Sequence, residues 1–102
     1  MKKTLLLLFI LPTLLYSQSS LSGKITDIDG YPIMGANVIA VNSETQVLDG
    51  FGISNENGFY SINLKNGTEF NIKVTFIGFS PNEFNISLTE DTNKNFVLEE
   101  QA

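Results

Sequence analysis

Cysteine and histidine are both absent from the 102 residues. Without cysteine the chain has no disulfide, no thiol nucleophile and no thiolate metal site. Without histidine it lacks the commonest general base, the Ser-His-Asp arrangement and the usual zinc ligands. Acid–base chemistry would have to run on carboxylates alone. Basic residues are scarce too: six Lys and Arg stand against eleven Asp and Glu, a net charge of −5. An acidic domain repels phosphate backbones and anionic lipid surfaces, which excludes nucleic acid as a partner.

Long apolar runs are confined to the start. Lys2 and Lys3 precede the run Leu5–Leu15, broken only by Pro12 and Thr13, and Ser17 offers a small residue before polar sequence begins. That layout reads as a secretory signal peptide over residues 1–17. The run is well short of the roughly 20 residues that a spanning helix needs, so no membrane span is expected once the leader is removed. Lys2 and Lys3 leave with it, making the domain over 18–102 more acidic still. The expected location is exported: periplasmic, associated with the outer membrane, or extracellular.

No later stretch sustains a helical period. Turn signals recur instead, at Asp29-Gly30, Asn57-Gly58, Asn66-Gly67 and Ser80-Pro81, between short runs rich in Val, Ile, Phe and Thr. The spacing predicts an all-β sandwich or barrel. Seven strands are expected, near Leu21–Thr26, Ala36–Asn42, Val47–Ser54, Phe59–Leu64, Glu69–Ile77, Glu83–Leu88 and Asn95–Leu98, as an antiparallel sandwich. Alternation assigns Tyr60, Ile62 and Leu64 to one buried face and Phe70, Ile72, Val74 and Phe76 to another. Apolar residues on both faces of Ala36–Asn42 mark an interior strand. Gly50 and Gly52 signal a bulge or a close backbone approach, and Asn55–Gly58 reads as a tight hairpin turn.

Ser22–Val41 reads as strand, turn, strand. Its turn, Asp27-Ile28-Asp29-Gly30, carries the only arrangement that suggests metal chemistry. Asp-x-Asp-Gly resembles the start of a calcium loop. An EF-hand loop would need Glu at the twelfth position, and that position is Val38. Asp27 and Asp29 therefore stand as calcium candidates beside the plainer reading, in which they hydrogen-bond the turn backbone. No cofactor is expected. Tyr31, Phe59 and Phe79 are the aromatics expected at the surface, where they would contact a partner or simply pack at the rim. A small sandwich also leaves edge strands open to strand addition, with no indication in the sequence of which edge.

The order Ser22–Asp27, Gly30, Pro32, Gly35-Ala36, Val38, then Gly52, Ser54-Asn55, Gly58-Phe59-Tyr60, Ile62, then Val74–Phe79, then Phe96–Glu100 resembles carboxypeptidase regulatory-like domains. The resemblance implies a seven-stranded, transthyretin-like or immunoglobulin-like β-sandwich without catalytic residues. In Bacteroidetes-type bacteria such a domain often follows the signal peptide and precedes the plug and barrel of a TonB-dependent outer-membrane receptor. Neither follows Ala102, which leaves a stand-alone exported module or a receptor N-terminus. Ser54-Asn55 replaces the family's usual Thr-Asp, keeping turn chemistry but losing a carboxylate. The expected function is a non-enzymatic accessory or interaction module whose partner is a receptor plug or transport machinery. The alternative is a secreted sandwich that binds carbohydrate or peptide.

Overall fold

The computed structural model describes residues 18–101, so the leader reading for 1–17 lies outside the described residues. Eight strands follow in order: β1 (Gln18–Asp27), β2 (Asn37–Asn42), β3 (Leu48–Ile53), β4 (Phe59–Lys65), β5 (Glu69–Thr75), β6 (Asn82–Ser87), β7 (Thr92–Asn93) and β8 (Phe96–Leu98). A front sheet has β4 on one side of β1, with β7 and β8 on the other. A back sheet runs β3-β2-β5-β6.

The period-2 pattern is what builds the layers. Leu21 and Ile25 of β1, Tyr60, Ile62 and Leu64 of β4, and Phe96 and Leu98 of β8 face inward from the front. Val38 and Ala40 of β2 and Phe70, Ile72 and Val74 of β5 meet them from the back. Burying each large apolar side chain contributes roughly 1.5–3 kcal/mol. With no disulfide in the chain, that burial is the main force holding the two sheets together. β2 is interior to its sheet, as its two apolar faces predict.

Three expectations change. First, there are eight strands, because Thr92–Asn93, which lies between the sixth and seventh expected strands, pairs with Leu21–Ser22. Second, the sandwich is not wholly antiparallel: β7 and β8 both run parallel to β1. The chain leaves β6 beside the start of β5 and crosses to the front sheet at the Gln18 end of β1, where Ser20 N–H donates to Asp91 Oδ1 at 2.9 Å. From there it can only run alongside β1 in the same direction. Lys94-Asn95 bridges the gap between β7 and β8: Lys94 N–H donates to Ser22 O (2.7 Å) and Lys24 N–H donates to Asn95 Oδ1 (2.8 Å).

Third, Asn55–Gly58 is not a hairpin. β3 and β4 lie in different sheets, so the turn arches between layers. Gly58 N–H donates to Asn55 O (2.8 Å), and of the four residues only Gly58 has positive φ. A primed hairpin turn would need positive φ at a central position. The β2–β3 hairpin turns instead through Asn42–Gln46, where Gln46 holds φ 64° and its N–H donates to Asn42 O.

The glycines of β3 are close-approach positions. A methyl group at Gly52 would sit 2.8 Å from Ile62 Cγ2 and 3.3 Å from the Ser61 carbonyl oxygen. At Gly50 it would meet Leu64 Cδ2 at 2.9 Å. Only glycine lets β3 lie across β4 at this distance. The register shift expected there falls at Ala40/Val41 against Gly50 and Leu48.

Candidate interaction surface

The Asp27–Gly30 turn is held by its own carboxylate. Asp27 Oδ1 accepts from Asp29 N–H (2.9 Å) and Tyr31 N–H (3.0 Å), while Gly30, at φ 91°, donates its N–H to Asp27 O. This is the backbone-bonding geometry of an Asx turn. Asp29 is exposed. Among the described residues no group of three or more Asp, Glu, His or Cys is placed to hold a metal ion.

Asn55 performs the same task at the arch, its Oδ1 accepting from Asn57 N–H and Phe59 N–H, each at 2.9 Å. An amide oxygen does this as well as a carboxylate, so the change from Asp to Asn leaves the turn intact. Ser54 is buried; its hydroxyl donates to Ile33 O (2.6 Å) and accepts from Ala36 N–H (2.9 Å). Ser54-Asn55 thus pins the end of β3 to the arm before β2. Tyr60 is likewise structural: its hydroxyl donates to Lys94 O at 2.6 Å, and burial pushes its pKa well above the usual phenol value.

The three surface aromatics do not converge. Tyr31 is exposed on the arm that folds back along β1. Phe59 is half exposed on the outer face of the front sheet, with Lys24 Nζ 5.7 Å from its ring centroid. Phe79 corrects the expectation of an exposed ring. Gly78, at φ 88°, turns the chain back, Phe79 N–H donates to Phe76 O, and the two rings pack 5.8 Å apart. Phe79 is therefore partly buried, and it lines an open cleft of about 370 Å³ with Asp27, Ile28, Asp29, Leu98, Glu99 and Glu100.

The outer faces of the two sheets differ in chemistry. The front presents Ser20, Ser22, Lys24, Thr26, Ser61, Asn63 and Lys65 around Phe59. The back presents Phe51 beside Ile39, with Lys73 and Glu83 continuing the row, and Ile53 beside Asn37. Phe51 and Ile53 are 55% and 54% exposed. Neither is prominent in the sequence. A signal was nevertheless present: with Gly50 and Gly52 turned inward, the alternation of Gly-Phe-Gly-Ile forces both apolar side chains outward.

The model for the carboxypeptidase regulatory-like domain matches residues 20–99. The chain belongs to that family. Carboxypeptidase regulatory-like domains are non-catalytic, immunoglobulin-like β-sandwich modules, which agrees with the two sheets described above. Among curated protein sequences nothing matches. Among solved structures, the Bacillus anthracis TIE protein is similar at TM-score 0.68 and 18% identity, over 82% of this chain and 17% of that one. The 3-chlorocatechol 1,2-dioxygenase of Rhodococcus opacus 1CP gives TM-score 0.65 at 9% identity, over 83% and 61%. A type II cohesin-X-dockerin complex from Acetivibrio cellulolyticus gives 0.58 at 20%, over 78% and 56%. The chain thus spans about a sixth of the first of these proteins and about three fifths of the other two. At these identities the likeness is one of fold alone.

Proposed function

We propose that this carboxypeptidase regulatory-like domain is a non-enzymatic interaction module, exported across the inner membrane and associated on the periplasmic side with a TonB-dependent outer-membrane receptor. The observation that carries the interaction reading is the apolar group Phe51, Ile53 and Ile39 on the solvent-facing side of the back sheet. A sheet face that meets only water is normally polar; the front face comes nearer to this, with Phe59 and Val97 set among serine, threonine, asparagine and lysine. The leader-like start at residues 1–17 supports export, and its position directly before the domain supports the receptor association. The domain would act by surface complementarity, with no bond chemistry.

The test is fractionation of cells carrying a C-terminally tagged chain, followed by crosslinking and identification of co-purifying proteins. Recovery from the periplasm or outer membrane together with a TonB-dependent receptor is expected. Retention in the cytoplasm, or export with no receptor among the partners, would sink the reading. Carbohydrate binding is favoured by one further observation: a shallow hollow of about 520 Å³ on the back sheet, bordered by the amides of Gln46, Asn71 and Asn85. A glycan titration with no shift at those three amides removes it.

A further inference from the structure

We infer that the free edge of β3 accepts an extended, cationic polypeptide strand, which adds to the back sheet as a fifth strand. This rests on the reading of the domain as an interaction module and specifies which edge is used and what it takes.

Five strands have an edge without a ladder partner among the described residues: β4, β7 and β8 in the front sheet, and β6 and β3 in the back. β7 and β8 are only two and three residues long, too short to template an added strand. The β4 edge is overlaid, because Gly52 and Gly50 of β3 lie against the Ser61 and Asn63 carbonyls. The β6 edge follows Pro81 and carries Glu83, Asn85 and Ser87. Proline and charge at an edge discourage strand addition.

β3 has no such protection over its last residues. Ser54 N–H donates to Ala36 O, which fixes the alternation of the antiparallel pair. Gly52 and Gly50 direct their N–H and C=O groups to Val38 and Ala40. Phe51 and Ile53 direct theirs away from β2. Phe51 and Ile53 thus combine outward backbone groups with exposed apolar side chains; Leu48, also exposed, lies beyond the register shift at Ala40/Val41. Main-chain bonds at alternate residues, with apolar side chains beside them, are what strand addition uses.

Charge selects the occupant. Over 42–58 the chain carries three exposed carboxylates, Glu44, Asp49 and Glu56, and no basic residue. Lys65 on β4 shares a small cleft with Asp49, at the Gln18 end and away from Phe51 and Ile53. A segment alternating basic and apolar residues complements this edge. A second copy would bring the same three carboxylates.

The probe is a capped nine-residue peptide of alternating Lys and Val, titrated into the 15N-labelled full chain and followed by NMR. Saturable shifts at Phe51, Gly52 and Ile53, with slowed hydrogen exchange of the Phe51 and Ile53 amides, are the expected result. N-methylation of alternate peptide amides removes the donors but keeps the charge, and should weaken binding at least tenfold. Phe51→Lys with Ile53→Lys should do the same, whereas Asn85→Lys on β6 should leave binding within twofold. Equal binding of the methylated peptide, equal binding of a Glu/Val peptide, or shifts confined to β6 or to the Asp27–Glu100 cleft would overturn the inference. So would self-association through β3 without peptide binding. Loss of receptor co-purification with intact peptide binding would remove the receptor reading and leave this one standing; the reverse outcome would do the opposite.

Discussion

The two edges of the back sheet, β3 and β6, belong to one layer and meet the same solvent, yet they are built differently. β6 alternates Phe84 and Ile86 toward the core with Glu83, Asn85 and Ser87 toward water. β3 turns glycines toward the core and Phe51 and Ile53 toward water. The inversion follows from the arch at Asn55–Gly58. Because β4 returns in the other sheet directly beneath β3, no inward side chain fits at Gly50 or Gly52. The core under β3 is supplied by Leu64 and Ile62 of β4. An edge strand can therefore be held by its neighbours while its own side chains remain available.

The sharpest way to break this comparison is to give β3 an inward side chain. Gly52→Val places a Cβ against both a side chain and the Ser61 carbonyl, and should cost roughly 3 kcal/mol by overpacking. Asn85→Val on β6 should change stability by less than about 0.5 kcal/mol. Urea midpoints measured on both variants test the pair; equal effects would end the distinction. Next in size is Ser54→Ala, which strands the buried Ile33 carbonyl and Ala36 N–H at the end of β3. A loss of about 1–3 kcal/mol is expected, with enhanced hydrogen exchange along β3 and little along β6.

Alkali probes the layer beneath. The Tyr60 hydroxyl holds its proton more tightly folded than unfolded, so above its ordinary value of 10.0 the unfolded chain releases a proton that the folded chain keeps. Stability from this group is complete below pH 10 and declines as pH rises beyond it. Tyr60→Phe should remove that component of the decline in a pH series of thermal melts. The smallest effect on stability belongs to Ile53→Lys, within about 0.5 kcal/mol because the side chain is exposed. It should still weaken binding of the Lys/Val peptide about fivefold in the NMR titration, since it places like charge beside the outward Ile53 backbone groups. Binding unchanged from the parent chain would mean that Ile53 does not border the docking edge.

The fold was legible where a short-range rule governs it. Alternation placed Tyr60, Ile62 and Leu64, and Phe70, Ile72 and Val74, on buried faces, and those side chains fill the core. The turn roles of Asp27 and Asn55 followed from residue type and spacing. The unreadable parts depend on distant partners. Asn-Gly marks a reversal of direction but does not say whether the chain returns in the same sheet, so an arch looked like a hairpin. Thr92–Asn93 is a strand only because Leu21–Ser22 lies beside it. At the surface, Tyr31 and Phe59 are exposed as their positions imply, while Gly78 folds Phe79 inward. Phe51 and Ile53 were hidden by their flanking glycines, which read as weakness in the strand rather than as a device that points its neighbours outward.

The parallel pairing of β8 with β1 has a mechanical meaning. β1 enters at Gln18, and the chain leaves past Leu98 beside Asp27, so entry and exit lie at opposite poles. At about 3.3 Å per residue they are roughly 30 Å apart. A tension applied between those two points would slide β1 against β8 along their length. It would load the hydrogen bonds between them together, rather than opening them one after another like a zip.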